Sequence, residues 1–105
     1  MDDLSKRLKA LANKNRLAIF VYLRENGKNL EDIAECCSVG DVAQQFDLAL
    51  STVSHHLKVL NDAELICCQQ DGQRVICIIN KGAVEELRAF FKADDDEVAR
   101  PDSEA

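Results

Sequence analysis

Residues 41–65 read DVAQQFDLALSTVSHHLKVLNDAEL, and the parsing of this stretch decides the fold. Val42, Ala43 and Phe46 recur at a helical interval, and Asp47-Leu48-Ala49-Leu50 then breaks the period. A second helix is expected to start at Ser51, a residue type that caps helix N-termini. It places Val53, Leu57 and Leu60 at i, i+4 and i+7. At roughly 100° per residue those three side chains share one face. Ser51, Ser54, His55 and Lys58 fall opposite, with Thr52 and Val59 at one edge. The outer face is small, polar and weakly basic, with no carboxylate before Asp62. Short hydroxyl side chains and a Lys can reach base edges and phosphates in a DNA major groove. The pair therefore reads as a helix-turn-helix whose second helix is the reader. A plain helical hairpin with a solvated outer face has the same pattern, so the flanking sequence must separate the two.

Residues 65–80, LICCQQDGQRVICIIN, hold two β-rich runs around Asp71-Gly72, a hairpin dipeptide. With Asp71-Gly72 as a two-residue turn, Cys68 is expected opposite Val75 and Ile66 opposite Cys77. Alternation then puts Ile66, Cys68, Val75 and Cys77 on one face and Cys67 on the other. A helix-turn-helix followed by a hairpin is a winged helix. Its wing tip runs from Gln69 to Arg74, with Gln73 and Arg74 as the side chains offered to DNA.

Upstream, a helix over roughly 3–12 aligns Leu4, Leu8 and Leu11, a stripe that so short a helix must bury elsewhere. A second helix over 13–25, with Asn13 or Asn15 as its cap, contains LAIFVYL, apolar nearly all round and expected to be buried. In 28–40, KNLEDIAECCSVG, the spacing of Leu30, Ile33, Ala34 and Cys37 predicts a short helical turn, and Ser38 can cap the next helix. Gly82 to Lys92 predicts a last helix with Val84, Leu87, Phe90 and Phe91 apolar. The fold class is mainly α with a β-hairpin wing: a winged helix-turn-helix of about five helices and two strands. It forms one domain over 1–92, followed by an acidic tail, 93–105, expected to be disordered.

The net charge of −6 is unevenly spread. Residues 93–105 hold six acids and one Arg, whereas 1–92 hold 12 Lys/Arg against 13 Asp/Glu. A near-neutral body implies few phosphate contacts and modest non-specific affinity for DNA. No run of 18 apolar residues is present, so no membrane span is expected. MDDLSKRLK lacks the apolar region of a signal peptide, which points to the cytoplasm.

The chain resembles the ArsR/SmtB metalloregulators. LKALANKNRLAIFVYL at 8–23, STVSHHLKVLNDAELI at 51–66 and DGQRVICIIN at 71–80 carry the resemblance, which covers most of residues 4–92. It implies a homodimeric winged-helix repressor, with a dimer interface built by the first and last helices, that leaves its double-stranded operator when an inducer ion binds. It also implies DNA contacts from Ser51, Thr52, Ser54, His55, His56 and Lys58 on the reading helix. Arsenic-sensing members often carry Cys-x-Cys just before the equivalent of Asp41-Val42. Here Ser38 and Gly40 take those places and the cysteines stand upstream as Cys36-Cys37. Zinc-sensing members bind metal through His and carboxylates of the last helix, which here has Glu85 and Glu86 but no His.

Five cysteines, an odd number, argue against a simple disulfide framework in a reducing compartment. They fall as Cys36-Cys37, Cys67-Cys68 and Cys77, none in C-x-x-C spacing. Adjacent thiolates select soft ions such as As(III), Sb(III), Cd(II), Hg(II) or Cu(I), and the resemblance puts As(III) first. Cys36 and Cys37 are the expected inducer ligands with Cys77 as their partner and Cys67 or Cys68 ranked after it, although Cys77 also reads as a small core residue. No resident cofactor is required. His55 and His56 diverge around the helix and do not share an ion, and His56 sits at the edge of the apolar stripe. No catalytic set is present, so an enzyme is not expected. Two other readings remain: a thiol-redox or persulfide-responsive repressor of the same fold, in which the vicinal thiols, or Cys68 with Cys77, oxidise reversibly, and a zinc-stabilised interaction module.

Overall fold

The computed structural model describes residues 2–26 and 37–92. Its elements run α1 (Asp2–Leu11), α2 (Lys14–Asn26), α3 (Val39–Phe46), α4 (Leu50–Asp62), β1 (Ile66–Asp71), β2 (Arg74–Ile79) and α5 (Lys81–Lys92). These are the five helices and two strands of a winged helix-turn-helix. Of the expected helical turn within 28–40, Leu30, Ile33 and Ala34 lie outside the described residues, as do Cys36 and the acidic tail.

Short polar side chains set most helix starts. Asn13 Oδ1 accepts the Asn15 and Arg16 backbone N–H groups, each at 3.0 Å, so Asn13 and not Asn15 begins α2. Ser38 caps α3: its Oγ accepts the Asp41 N–H at 3.1 Å while Asp41 Oδ2 accepts the Ser38 N–H at 3.0 Å, a reciprocal capping box. Asn80 Oδ1 accepts from Gly82 at 3.1 Å and starts α5. The reading helix differs from expectation. It begins at Leu50 with Ala49 in the cap position and no side-chain cap, and Ser51 lies inside the first turn. Asp47, left-handed at φ 54°, reverses the chain so sharply that helical geometry resumes before Ser51 is reached.

α4 ends in a Schellman motif. Glu64 is left-handed at φ 62°, its N–H donates to Asn61 at 2.9 Å, and Leu65 N–H donates back to Leu60 at 3.0 Å. Leu60 and Leu65 are both fully buried, which supplies the apolar contact of that motif.

The core gathers Ile19 and Leu23 of α2, Val42 of α3, and Val53 and Leu60 of α4 against Ile66 and Cys77 of the hairpin. Each such aliphatic side chain contributes about 1.5–3 kcal/mol relative to exposure. α2 is not buried all round, because only its Ile19, Phe20 and Leu23 face is covered and Leu17 stays 46% exposed. Arg7 of α1 is buried as well. Its Nε donates to the Ala63 carbonyl at 3.1 Å, and its guanidinium pairs with Glu86 of α5 and with Glu64 at 3.3 Å. One cation thereby ties the first helix to the last and to the end of the reading helix.

The hairpin register departs from expectation by two residues. Asp71 pairs with Arg74, Cys68 with Cys77 and Ile66 with Ile79, so the turn is Gly72-Gln73. Gly72 alone of these two takes positive φ, at 64°, the requirement of a turn with glycine at its first central position. A shift of two preserves alternation, so Ile66, Cys68, Val75 and Cys77 still share a face, with Cys67 on the other. A third segment joins β2: Ser38 bridges Ile76, and Cys77 N–H donates to the Cys37 carbonyl at 3.0 Å. The lead into α3 and the wing are therefore hydrogen-bonded to each other.

Candidate DNA-binding face and thiol cluster

α3 and α4 pack together across the three-residue turn Asp47-Leu48-Ala49. Val53, Leu57 and Leu60 face the core, leaving Ser51, Thr52, Ser54, His55 and Lys58 exposed on the outer side. Lys58 Nζ lies 3.3 Å from Asp62 Oδ2, one turn on, so the one lysine of this face is partly neutralised. His56 is placed with the core and not on the reading face: it is buried, and Arg16 Nη1 approaches its Nδ1 at 3.4 Å. Burial first, then the charge of Arg16 and the neighbouring His55, hold its pKa below the ordinary 6.5. Arg16 is itself fixed by donating from Nε to the Ala10 carbonyl at 2.8 Å. At the wing tip Gln73 is exposed and Arg74 is half-buried opposite Asp71.

Of the leading ligand candidates Cys36, Cys37 and Cys77, the latter two are described and lie in different environments. Cys37 is buried beneath α2, hydrogen-bonded to Tyr22. Burial, and then the neighbouring Cys37 and Asp41, push the Tyr22 phenol above 10.0. Cys77 has no exposed surface, and its Sγ lies 3.1 Å from the Sγ of half-buried Cys68. The hydrogen bond between them pulls the Cys68 thiol down and, with burial, holds the Cys77 thiol up. Backbone register places Cys37 and Cys77 side by side across β2. Among the described residues, no three His, Cys, Asp or Glu side chains are gathered to hold a metal ion. The expected register sets Cys68 opposite Val75, whereas the observed one sets it opposite Cys77.

A reading helix with an apolar-inward, carboxylate-poor outward face, followed at once by a two-stranded wing, defines a DNA-binding winged helix-turn-helix. A helix-turn-helix domain family model matches residues 11–68. The arsenical resistance operon repressor of Bacillus subtilis (strain 168) is 36% identical over 92 residues, covering 83% of this chain and 80% of that one. The chain belongs to the ArsR family of transcriptional regulators. Solved structures agree on the fold. An ArsR-like regulator from Rhodococcus sp. RHA1 superposes with TM-score 0.71 at 16% identity, covering 91% of this chain and 82% of that one. A homodimeric winged helix-turn-helix domain from Mycobacterium bovis gives TM-score 0.67 at 22% identity, covering 93% and 83%.

Proposed function

We propose that this protein is a homodimeric repressor that holds double-stranded operator DNA through α4 and the wing. It leaves the operator when a thiophilic inducer, arsenite foremost and Sb(III) or Cd(II) next, binds its cysteines. The observation that carries the DNA half is the exposed Ser51-Thr52-Ser54-His55-Lys58 face beside the wing residues Gln73 and Arg74. The inducer half is supported by the arsenical resistance repressor relative and by Cys37 and Cys77 standing side by side where the lead into α3 meets β2. Cys36, Cys37 and Cys77 are its ligands, and soft thiolates suit such ions. The protein binds and does not catalyse, and it works in the cytoplasm, where thiols stay reduced. No described helix is long and apolar enough to cross a membrane.

The two halves couple as reciprocal free energies between sites. An ion drawing Cys36, Cys37 and Cys77 together re-aims the lead into α3 and hence α4. Half-sites lie roughly 34 Å apart, so a small tilt in each subunit misplaces both readers.

Operator fragments selected from genomic DNA provide the test. His55→Ala and Lys58→Ala each weaken operator binding without altering ion affinity, and Lys58→Ala lowers the salt slope by about one. Unchanged operator affinity in both variants would remove α4 as the reader. Cys36→Ser and Cys37→Ser retain DNA binding and lose release by arsenite.

The Cys68–Cys77 contact favours a second reading, in which the signal is oxidation. Two thiols would give two electrons and two protons to a peroxide, which leaves as water or alcohol and water while a disulfide closes. Release by peroxide, but not by arsenite under reduction, selects this reading. The persulfide version pairs an early cysteine with one in the last helix, and α5 contains none.

A further inference from the structure

Cys68 stands outside the ligand set above, yet its Sγ lies 3.1 Å from that of Cys77. The backbone explains the contact. Cys77 N–H points to Cys37 and Cys68 N–H points to Asn61 Oδ1, at 3.2 Å, each away from the other strand. Cys68 and Cys77 are thus a non-hydrogen-bonded antiparallel pair, the position where facing side chains approach most closely. Their Sγ atoms are held 3.1 Å apart by the strand ladder, one in the core and one at its margin. Two preorganised soft donors of this kind form a chelate.

We propose that Cys68 and Cys77 are a binding site for trivalent arsenicals carrying two exchangeable oxygens, R–As(OH)2. This rests on the reading that a thiophilic inducer acts through cysteine, and it adds both a ligand and an inducer class. Two As–O bonds break and two As–S bonds form. Each thiol proton leaves with a hydroxide as water, and arsenic stays trivalent throughout. Cys68, half-buried at the margin of the core, reacts first, and fully buried Cys77 closes the ring. Cys37, turned toward Tyr22, is not needed when the third arsenic substituent is carbon. The ring sits where β2 is bonded to the Cys37-Ser38 segment that caps α3. Occupancy therefore acts on the wing and the helix-turn-helix together.

The test titrates full-length protein, reduced with a phosphine and carrying a selected operator fragment, with phenylarsine oxide. Thiol count, near-ultraviolet absorbance and DNA release are followed together. Wild type should lose two titratable thiols per chain and release DNA. Cys68→Ser should bind at least roughly 100-fold more weakly, the loss of an intramolecular second bond. Cys67→Ser, exposed on the opposite face, should bind as wild type. Cys68→Ser avoids the fully buried position of Cys77, and its circular dichroism confirms the fold. If Cys68→Ser binds phenylarsine oxide as tightly as wild type while arsenite still releases DNA, the dithiol site is overturned and the repressor reading stands. If no arsenical binds wild type although operator DNA does, the thiophilic-inducer reading falls and this site with it.

Discussion

His56 shows how one residue can sit in a reading helix without reading. Its ring is turned into the space between α4 and α2, beside the fixed guanidinium of Arg16, and is easiest to keep there uncharged. The folded pKa lies below the unfolded one, so the unfolded chain takes up the proton more readily. The stabilising contribution is complete above pH 6.5 and is lost as pH falls below it toward the folded value. Urea denaturation of wild type between pH 7.5 and 5 should show falling stability, and His56→Gln should flatten the slope over that window. Equal slopes in the two proteins would show that His56 is not held neutral. Arg7 illustrates the opposite limit of legibility. Its partners Glu64 and Glu86 lie 57 and 79 positions away, so no local spacing could announce that a Lys/Arg on a short amphipathic helix is buried.

Among the elements, α3 has the start most plainly encoded in sequence. Ser38 and Asp41 satisfy each other's backbone N–H within four residues, a local signature that needs no knowledge of the fold. Ser38→Ala should cost about 1 kcal/mol in chemical denaturation, the usual value of such a cap. The Ser38–Ile76 bridge is made by backbone and should persist. A loss of only a few tenths would mean that tertiary contacts alone hold the end of α3. The start of α4 was harder to read because Ala49 has no capping side chain, and Ser51 two residues later drew the assignment. In the hairpin, Asp71-Gly72 and Gly72-Gln73 are both plausible two-residue turns, and only the φ of Gly72 separates them. The error of two residues kept every side chain on its expected face yet changed each partner. The inward direction of Cys68 and Cys77 was therefore legible, and their contact was not.

For the whole molecule, what decides function is the surface that one chain leaves uncovered. α5 buries Ala83 and Leu87 but exposes Phe90 (45%) and Phe91 (65%), whose rings stack edge to face at 5.1 Å. Phe90 lines an apolar groove with Leu4, Leu8 and Ala12 of the first helix and its end. Each aromatic ring covered in a dimer would contribute about 1.5–3 kcal/mol. That matters here because residues 1–92 are nearly neutral and offer few phosphate contacts, so affinity has to come from two readers acting on two half-sites. Phe90→Asp should leave each chain folded, its side chain being already half in water, while shifting sedimentation equilibrium toward monomer. Operator affinity should fall with dimer content and recover as protein concentration is raised. A variant that stays dimeric and binds operator normally would place the interface elsewhere than the α1–α5 face.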